Sequence, residues 1–386
     1  MESSGVSLAP APTALRIQSQ RVALACACAI GFAVSANYTN HAPVVGTLAR
    51  QFGFSQTLAG LLTTGIFITH AAMQVPGGHL VDRFGSRRVL MYALAWVALG
   101  NFAIAFSGAY WQLLAWKIFT GIGTGTCFVA GARYIHEGLA GPGLHLAQGF
   151  YGGSLLLGSG FVILAVPRIS LWAGWRVVFL VSATVAVCAW ILWTAVSPHV
   201  PSVAHARGHL RGMLLAPQLW LLGLMQMASF GLAIVVGTWI ITLLNSTLQV
   251  PAAKAGLIGS FVLLLGIVMR PLGGVLRQHI GMRALLTASF LANAAGCFML
   301  AAGWHSLPLA VVAVLLIGTG CDLPYAALFT RAASLFPGRA GAAMGLVNLL
   351  GIPSSLNFAV MGAVVLVGVL ADQIVKQRTQ KKLVRY

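Results

Sequence analysis

The chain has 386 residues, of which 59% are hydrophobic and 7% charged. A soluble domain carries about 25% charged residues, so an ordinary soluble protein is excluded, and the mean hydropathy of +0.89 agrees. The formal net charge of +18 comes from 23 Lys and Arg against 5 Asp and Glu; the bases lie in short stretches between apolar runs, not in one patch, so they point to membrane topology and not to nucleic acid.

Residues 1–20 are polar and carry Pro10 and Pro12, with no apolar core ahead of a small-residue cleavage site. They read as a cytoplasmic tail over 1–21 and not as a cleavable signal peptide. Apolar runs then follow over 22–46, 57–79, 88–108, 111–135, 146–167, 174–196, 217–244, 253–275, 283–304 and 308–332. Each is near the roughly 20 residues that cross a bilayer as helix. The run over 340–374 contains Pro353-Ser354-Ser355 and is expected to hold a shortened last pair, giving twelve spans with eleven as the alternative. Strand-sized alternating segments are absent, so a β-barrel is not expected. The polar stretch 197–211, with His199, His205, Arg207, His209 and Arg211, divides the chain. The expected organisation is a helical bundle over 22–196, a linker over 197–216, a second bundle over 217–375 and a basic tail over 376–386.

With the N-terminus in the cytoplasm, 17 of the Lys and Arg fall inside and four outside (Arg50, Arg168, Arg176 and Lys254), while Lys117 and Arg270 lie within spans. That is a positive-inside pattern. Trp111, Trp172, Trp175 and Trp304 cluster near outer ends, as an interfacial belt would. The six cysteines all sit in apolar runs and form no CxxC pair, so they read as packing residues without disulfide or metal.

The most informative stretch is a charged turn between two apolar runs, Gly77-Gly78-His79-Leu80-Val81-Asp82-Arg83-Phe84-Gly85-Ser86-Arg87-Arg88. A weaker copy, Gly273-Gly274-Val275-Leu276-Arg277-Gln278-His279-Ile280-Gly281-Met282-Arg283, lies 196 residues later. Ile122-Gly123-Thr124-Gly125 recurs at 317–320, an offset of 195, and Ala147-Gln148-Gly149 resembles Ala343-Met344-Gly345 at 196. A repeat of this length marks a duplicated bundle, and in membranes such duplications build transporters around a central site. Asp82 can accept from Arg83, Arg87 or Arg133, or sit against a helix N-terminus; the alternative is a solvated loop that anchors topology. Gln278 stands where the second copy would repeat Asp82, so any latch should be one-sided. Gly121, Gly123, Gly125, Gly149 and Gly153 read as close-packing positions.

Of the five acidic residues (Glu2, Asp82, Glu137, Asp322 and Asp372), only Asp322 lies clearly inside a span. A charge at the bilayer centre costs at least about 2.5–3.5 kcal/mol and is retained where it faces a cavity or a partner. Arg270, directly before Pro271, can grip a planar anion with two hydrogen bonds; the alternatives are pairing with carbonyls or snorkelling. Its mirror position 196 residues earlier is Gln74. Lys117, beside Trp116, is a second cation that either faces substrate or snorkels. Asp322 is a candidate carrier of the coupling proton or a fixed partner of Arg270 or Lys117. His70 lies four residues before Gln74 on one helix face, as a packing group or a proton carrier. Asn37, Tyr38 and Asn40 form a polar cluster with Trp239 as a plausible aromatic counterpart, or else a cluster facing headgroups.

These residues resemble the major facilitator superfamily over 22 to about 350. The stretch 78–88 is similar to the family's motif between spans two and three, G-x-L-a-D-r-x-G-r-k/r-x. Lys117-Ile118-Phe119-Thr120-Gly121-Ile122-Gly123 resembles the fourth-span motif R-x-x-x-G-x-G, with Lys in place of Arg. The fifth span lacks the Gly-Pro pair of many proton-coupled drug exporters, since Ser159 follows Gly158. The resemblance implies an all-α membrane protein of two pseudo-symmetric six-helix bundles. It implies a secondary transporter working by alternating access, with Gly78, Asp82, Gly85, Arg83, Arg87, Arg88 and Arg133 as the gate that favours the outward-open state. An Arg-Pro in the eighth span resembles nitrate/nitrite porters and monocarboxylate carriers. Nitrate porters carry a second Arg where this chain has Gln74, which departs from that pattern.

The expectation is a proton-coupled symporter of a small anion, with Arg270, Gln74, Lys117, Asn37, Tyr38 and Trp239 at the substrate and Asp322 or His70 on the proton. The alternatives are an efflux carrier for amphiphiles that uses Asp322 as cation partner, and a membrane component that no longer transports. No nucleophile elbow, phosphate loop or metal-spaced cluster supports an enzyme. No cofactor is expected, the partners are a small molecule and the lipid bilayer, and the chain is expected to act as a monomer in a bacterial inner membrane.

Overall fold

The computed structural model describes residues 17–139, 143–200, 210–302 and 306–351, within one compact unit, Met1–Ile352. Among these residues all regular structure is helical. A lone segment in lipid must satisfy its backbone internally, and the helix does this. Among the described residues ten helical runs are long and apolar enough to cross a membrane, one for each of the ten apolar runs read from the sequence over 22–332.

The first half comprises α1 (Ile17–Tyr38), α2 (Val45–Phe52), α3 (Gln56–Ala72), α4 (Gln74–Phe84), α5 (Ser86–Ala105), α6 (Tyr110–Gly138), α7 (Gly143–Ala173) and α8 (Trp175–Val196). After the short α9 (Leu210–Leu214) come α10 (Pro217–Gln226), α11 (Leu232–Leu248), α12 (Ala252–Leu264), α13 (Gly266–His279), α14 (Met282–Ala302), α15 (Leu307–Asp322), α16 (Tyr325–Leu335) and α17 (Ala340–Gly351). The expected last pair of spans and the basic tail lie almost wholly beyond the described residues; only their beginning, α17, is seen.

Proline shapes two of the spans. Pro76 has no N–H to offer Ala72, so the second span breaks at Met73 between α3 and α4. Pro271 lies inside α13 and leaves the Ile267 carbonyl without its usual donor. A π-helical turn, Met227–Gly231, interrupts the seventh span, which the sequence suggests as one continuous run.

Two seams join the halves, α4 on α17 and α7 on α13, and the 196-residue repeat relates one to the other. At the first, a methyl built on Gly78 would stand 2.5 Å from the Gly341 carbonyl carbon and 2.6 Å from the Ala342 nitrogen. At the second, one built on Gly274 would stand 2.7 Å from the His145 carbonyl carbon and 2.8 Å from the Leu146 Cα. The pairs 78/274 and 145/341 share the repeat spacing, so the internal duplication is visible as a pseudo-two-fold contact.

The apolar core is continuous across the halves at one end only. One cluster joins Val81, Leu90 and Tyr134 of the first half to Phe329, Met344 and Val347 of the second. At the other end the core splits, with Leu48, Leu62 and Phe179 in one cluster and Ile240, Leu244 and Val314 in another. The halves are therefore packed together at the Asp82 end and parted at the end where Tyr110 and Leu307 begin their helices. Trp111 and Trp172 are exposed as a belt requires, but Trp175 is buried, with its indole N–H given to Gln51. Trp304 lies outside the described residues. All six cysteines are unpaired.

Candidate functional site

Arg270 is positioned by three elements. On α13 it precedes Pro271, and α7 approaches there closely because Gly152 offers no side chain: a Cβ at that position would stand 2.6 Å from the Tyr325 ring and 2.9 Å from Arg270 Cδ. The Arg270 Nη1 donates to the Gly152 carbonyl at 2.9 Å, and its Nε donates to Asp322 Oδ1 at 2.8 Å. Tyr325 lies under the guanidinium, with the ring centroid 4.4 Å from Cζ. Arg270 is 5% and Asp322 3% exposed.

The guanidinium borders a cavity between the halves. Ser35 and Tyr38 of α1, His70 of α3 and Ser159 of α7 face it from one side; Gln226, Arg270, Tyr325 and Asn348 face it from the other. The space open to the centre of a water-sized sphere is about 50 Å³, room for a few waters or a group of comparable size. Two buried polar atoms at its wall, Asn348 Nδ2 and the Tyr325 hydroxyl, have no partner among the described residues, nor does Oδ2 of Asp322, which Arg270 holds. A buried donor left unpaired costs about 1–3 kcal/mol, so two donors beside one cation make a wall that favours an acceptor-rich, negatively charged occupant. On the opposite wall the Tyr38 and His70 rings stack at 5.4 Å, Ser35 and Ser159 share a 2.6 Å hydrogen bond, and His70 Nδ1 meets Thr124 Oγ1 at 3.0 Å.

Of the residues singled out from the sequence, Arg270, Tyr38 and His70 line this cavity, and Asp322 is held against Arg270. Five others do not line it. Lys117 is 1% exposed, in the interior of the first half. Its Nζ donates to Asn40 Oδ1 at 2.5 Å and to the Asn37 carbonyl at 3.3 Å, and lies 5.4 Å from the Phe179 ring centroid. It does not line the cavity and does not snorkel, because α6 begins at Tyr110 and carries it two turns into the bundle. Asn37 is fully buried and gives its amide back to the Ala33 carbonyl of its own helix, while Asn40 donates to Asn101 of α5, so neither faces headgroups. Gln74 is buried on α4 and donates back to the His70 carbonyl at 3.1 Å. Trp239 is 41% exposed on the outer face of α11.

Conversely, Tyr325, Asn348 and Gln226 are cavity residues that sequence reasoning passed over. One signal was present: Asn348 stands 196 residues after Gly152, the residue whose carbonyl Arg270 holds.

A second constellation lies at the joined end. Asp82 is 3% exposed, and its carboxylate accepts from the Gly341 N–H at 2.9 Å and the Ala342 N–H at 3.0 Å. These are the second and third amides of α17, which have no partner inside their own helix. Asp82 thus caps α17 from across the seam, where the helix dipole favours an anion. Arg133 Nε lies 3.6 Å from Asp82 and 3.1 Å from Glu137, which also accepts from Ser86 at 2.6 Å. Beside it Arg339 meets His79 Nδ1 at 3.2 Å.

Three of the arginines expected at this gate point elsewhere. Arg83, one position round the helix from Asp82, is exposed over the Phe84 ring, and Arg88 is exposed. Arg87 donates to Ser197 Oγ at 3.1 Å and the Thr194 carbonyl at 3.3 Å. Gly85, at φ +84°, turns the chain between α4 and α5 and so separates Arg87 and Arg88 from Asp82. The other seam has no counterpart: Gln278 is exposed, Phe329 stands 196 residues after Arg133, and the contact made is Thr330 Oγ1 with His145 Nδ1 at 2.9 Å. Both seams are close-packed, but among the described residues a carboxylate contact is made at the Asp82 seam alone.

A family model for the Major Facilitator Superfamily matches residues 27–356. Among curated proteins, the chain is 22% identical over 348 residues to a probable nitrate/nitrite antiporter, NarK1, of Thermus thermophilus, covering 79% of this chain and 76% of that one. It is 24% identical over 363 residues to a probable sulfoacetate transporter, SauU, of Cupriavidus necator, covering 86% and 84%. Among solved structures, it superposes on the transporter FucP in the outward conformation with a TM-score of 0.73 at 14% identity, covering 90% of this chain and 92% of that one.

Proposed function

The chain belongs to the Major Facilitator Superfamily, and on that footing we propose that it carries a small monovalent anion, held by Arg270, across a bacterial inner membrane. Family membership makes it a transporter rather than an enzyme; the solute, its binding residues and its coupling are the proposal. The observation that carries it is the pairing of a buried guanidinium with two unpartnered donors, Asn348 Nδ2 and the Tyr325 hydroxyl, at one small cavity. A space of about 50 Å³ suits an anion of a few atoms better than an amphiphilic drug. The relatives named for nitrate/nitrite and sulfoacetate support an anion.

Asp322 supplies the coupling in this reading. Its carboxylate occupies the Nε edge of Arg270, so it competes with a substrate anion for the same cation. Protonation at Asp322 removes the competitor, frees the guanidinium and lets the anion bind. The proton and the anion are then taken up together, and deprotonation after release re-forms the pair. His70, stacked on Tyr38 across the cavity, is the second candidate for proton relay.

The bundles over 22–196 and 217–375 rock about this site. With the N-terminus inside, as the 17-to-4 distribution of bases favours, the joined end is cytoplasmic and the parted end faces out. Asp82, Arg133 and the α17 N-terminus then form the latch of the outward-facing state, Gly78 lets the seam close, and release of the latch opens the inward-facing state. The protein acts as a monomer.

Purified protein in proteoliposomes tests the site. Uptake of nitrate, nitrite, formate or acetate should be saturable, stimulated by an inward proton gradient and abolished by Arg270→Ala. Uptake unchanged in that variant would overturn the assignment of Arg270.

A further inference from the structure

We propose that the cytoplasmic ends of α4 and α5, against the middle of α6, form a binding site for one anionic glycerophospholipid, its phosphate on Arg88 and an acyl chain in the groove below. The groove is large: counted in the same way as the central cavity, it holds about 600 Å³ against about 50 Å³. It is a long apolar cleft on the outer surface, and its walls are Leu80, Phe84, Tyr92, Trp96 and Ile122. Tyr92 is 70% exposed and Phe84 49%, so both aromatic walls are open to a lipid chain.

Its polarity runs in one direction. Arg88, in the first turn of α5, is its one charged lining residue and stands at its mouth. Arg83 adds a second exposed guanidinium there, lying 5.2 Å over the Phe84 ring. Asp82, the acid next to Arg83 in sequence, is turned away and buried against α17. The inner end is formed by Trp96, whose indole N–H donates to the Phe119 carbonyl at 2.8 Å and whose ring stacks on Phe119 at 4.0 Å. Arg88 and Trp96 are eight residues apart on one helix, about 12 Å along its axis. The cleft therefore has a cationic mouth, apolar walls and a fixed floor, the shape of a phosphate with one hydrocarbon chain.

The headgroup follows from charge. A guanidinium grips phosphate with two parallel hydrogen bonds, and basic residues beside the cytoplasmic leaflet draw anionic lipid. Two uncompensated guanidinia at one mouth oppose the ammonium of a zwitterionic headgroup. A second outer groove, between α5 and α8, provides the contrast. It holds about 370 Å³, is lined by Leu99, Phe102, Leu180 and Val187, and has no charged lining residue. It should take hydrocarbon without headgroup preference.

Native mass spectrometry of delipidated protein in detergent, titrated with phosphatidylglycerol or phosphatidylcholine of the same acyl chains, tests the site. One phosphatidylglycerol should be retained at about tenfold lower concentration than phosphatidylcholine. Arg88→Gln, an exposed substitution, should bring the two lipids level. Leu80→Trp should fill the cleft and remove the retained lipid, while Ala183→Phe in the second groove should leave the preference intact. Equal retention of both lipids by the parent, or a preference that survives both Arg88→Gln and Leu80→Trp, would overturn the proposal.

Discussion

Replacing Asp82 by Ala removes the acceptor of two backbone amides, Gly341 N–H at 2.9 Å and Ala342 N–H at 3.0 Å, from a site only 3% exposed. Hydrogen bonds to a charged group contribute about 1.5–3 kcal/mol each. Two at the lower figure give about 3 kcal/mol, which is about a hundredfold change in an equilibrium constant. Arg133 is not stranded by the change, because Glu137 remains 3.1 Å away. The loss therefore falls on the joined state and not on the fold, and moves the balance towards the state in which the cytoplasmic seam is open. Hydrogen exchange over α17 reads this directly, since the first amides of that helix have no partner but Asp82. Asp82→Ala should raise their exchange by about two decades, and Gln278→Ala, on the exposed counterpart, should not. Exchange unchanged in Asp82→Ala, or raised equally by both variants, would refute the latch.

Gly152→Val would force a side chain against the Tyr325 ring and Arg270 Cδ; overpacking of this kind costs about 1–3 kcal/mol, so thermal unfolding should fall and anion binding should be lost. Lys117→Met should cost about 1–3 kcal/mol, because Asn40 Oδ1 and the Asn37 carbonyl lose their donor, while anion affinity stays within twofold in a binding titration. Trp239→Ala, on an exposed face, should change stability by less than about 0.5 kcal/mol and leave uptake unaltered.

Span positions were readable because length and apolarity are one-dimensional properties. Each of the ten described spans coincides with an apolar run, and the repeat at 196 residues was enough to anticipate a duplicated bundle, though not which helices form its seams. The asymmetry of Asp82 and Gln278 was likewise written in the chain. What could not be read was the rotation of each helix. In lipid the outer face is as apolar as the core, so nothing in the sequence marks Trp239 as outward or Tyr325 as inward. Depth was the second gap. Lys117 reads as near a span end because the apolar run begins at 111, yet α6 extends to Gly138 and seats the amine in the interior. Uncharged polar residues formed the third: Gln226 is indistinguishable in sequence from packing groups such as Asn101, and Asn348 differs from them only by its repeat spacing from Gly152. Arg270 and Asp322 stood out because a charge in a span needs a reason, although their mutual bond was one of several open arrangements.

The affinity of purified protein for a small monovalent anion, measured in parallel for the parent, Arg270→Gln and Asp322→Asn, tests the central assignment most directly. The account predicts that Arg270→Gln weakens binding at least tenfold and that Asp322→Asn strengthens it, because the competing carboxylate is gone and Arg270 remains. Equal affinity in the parent and Arg270→Gln would contradict it.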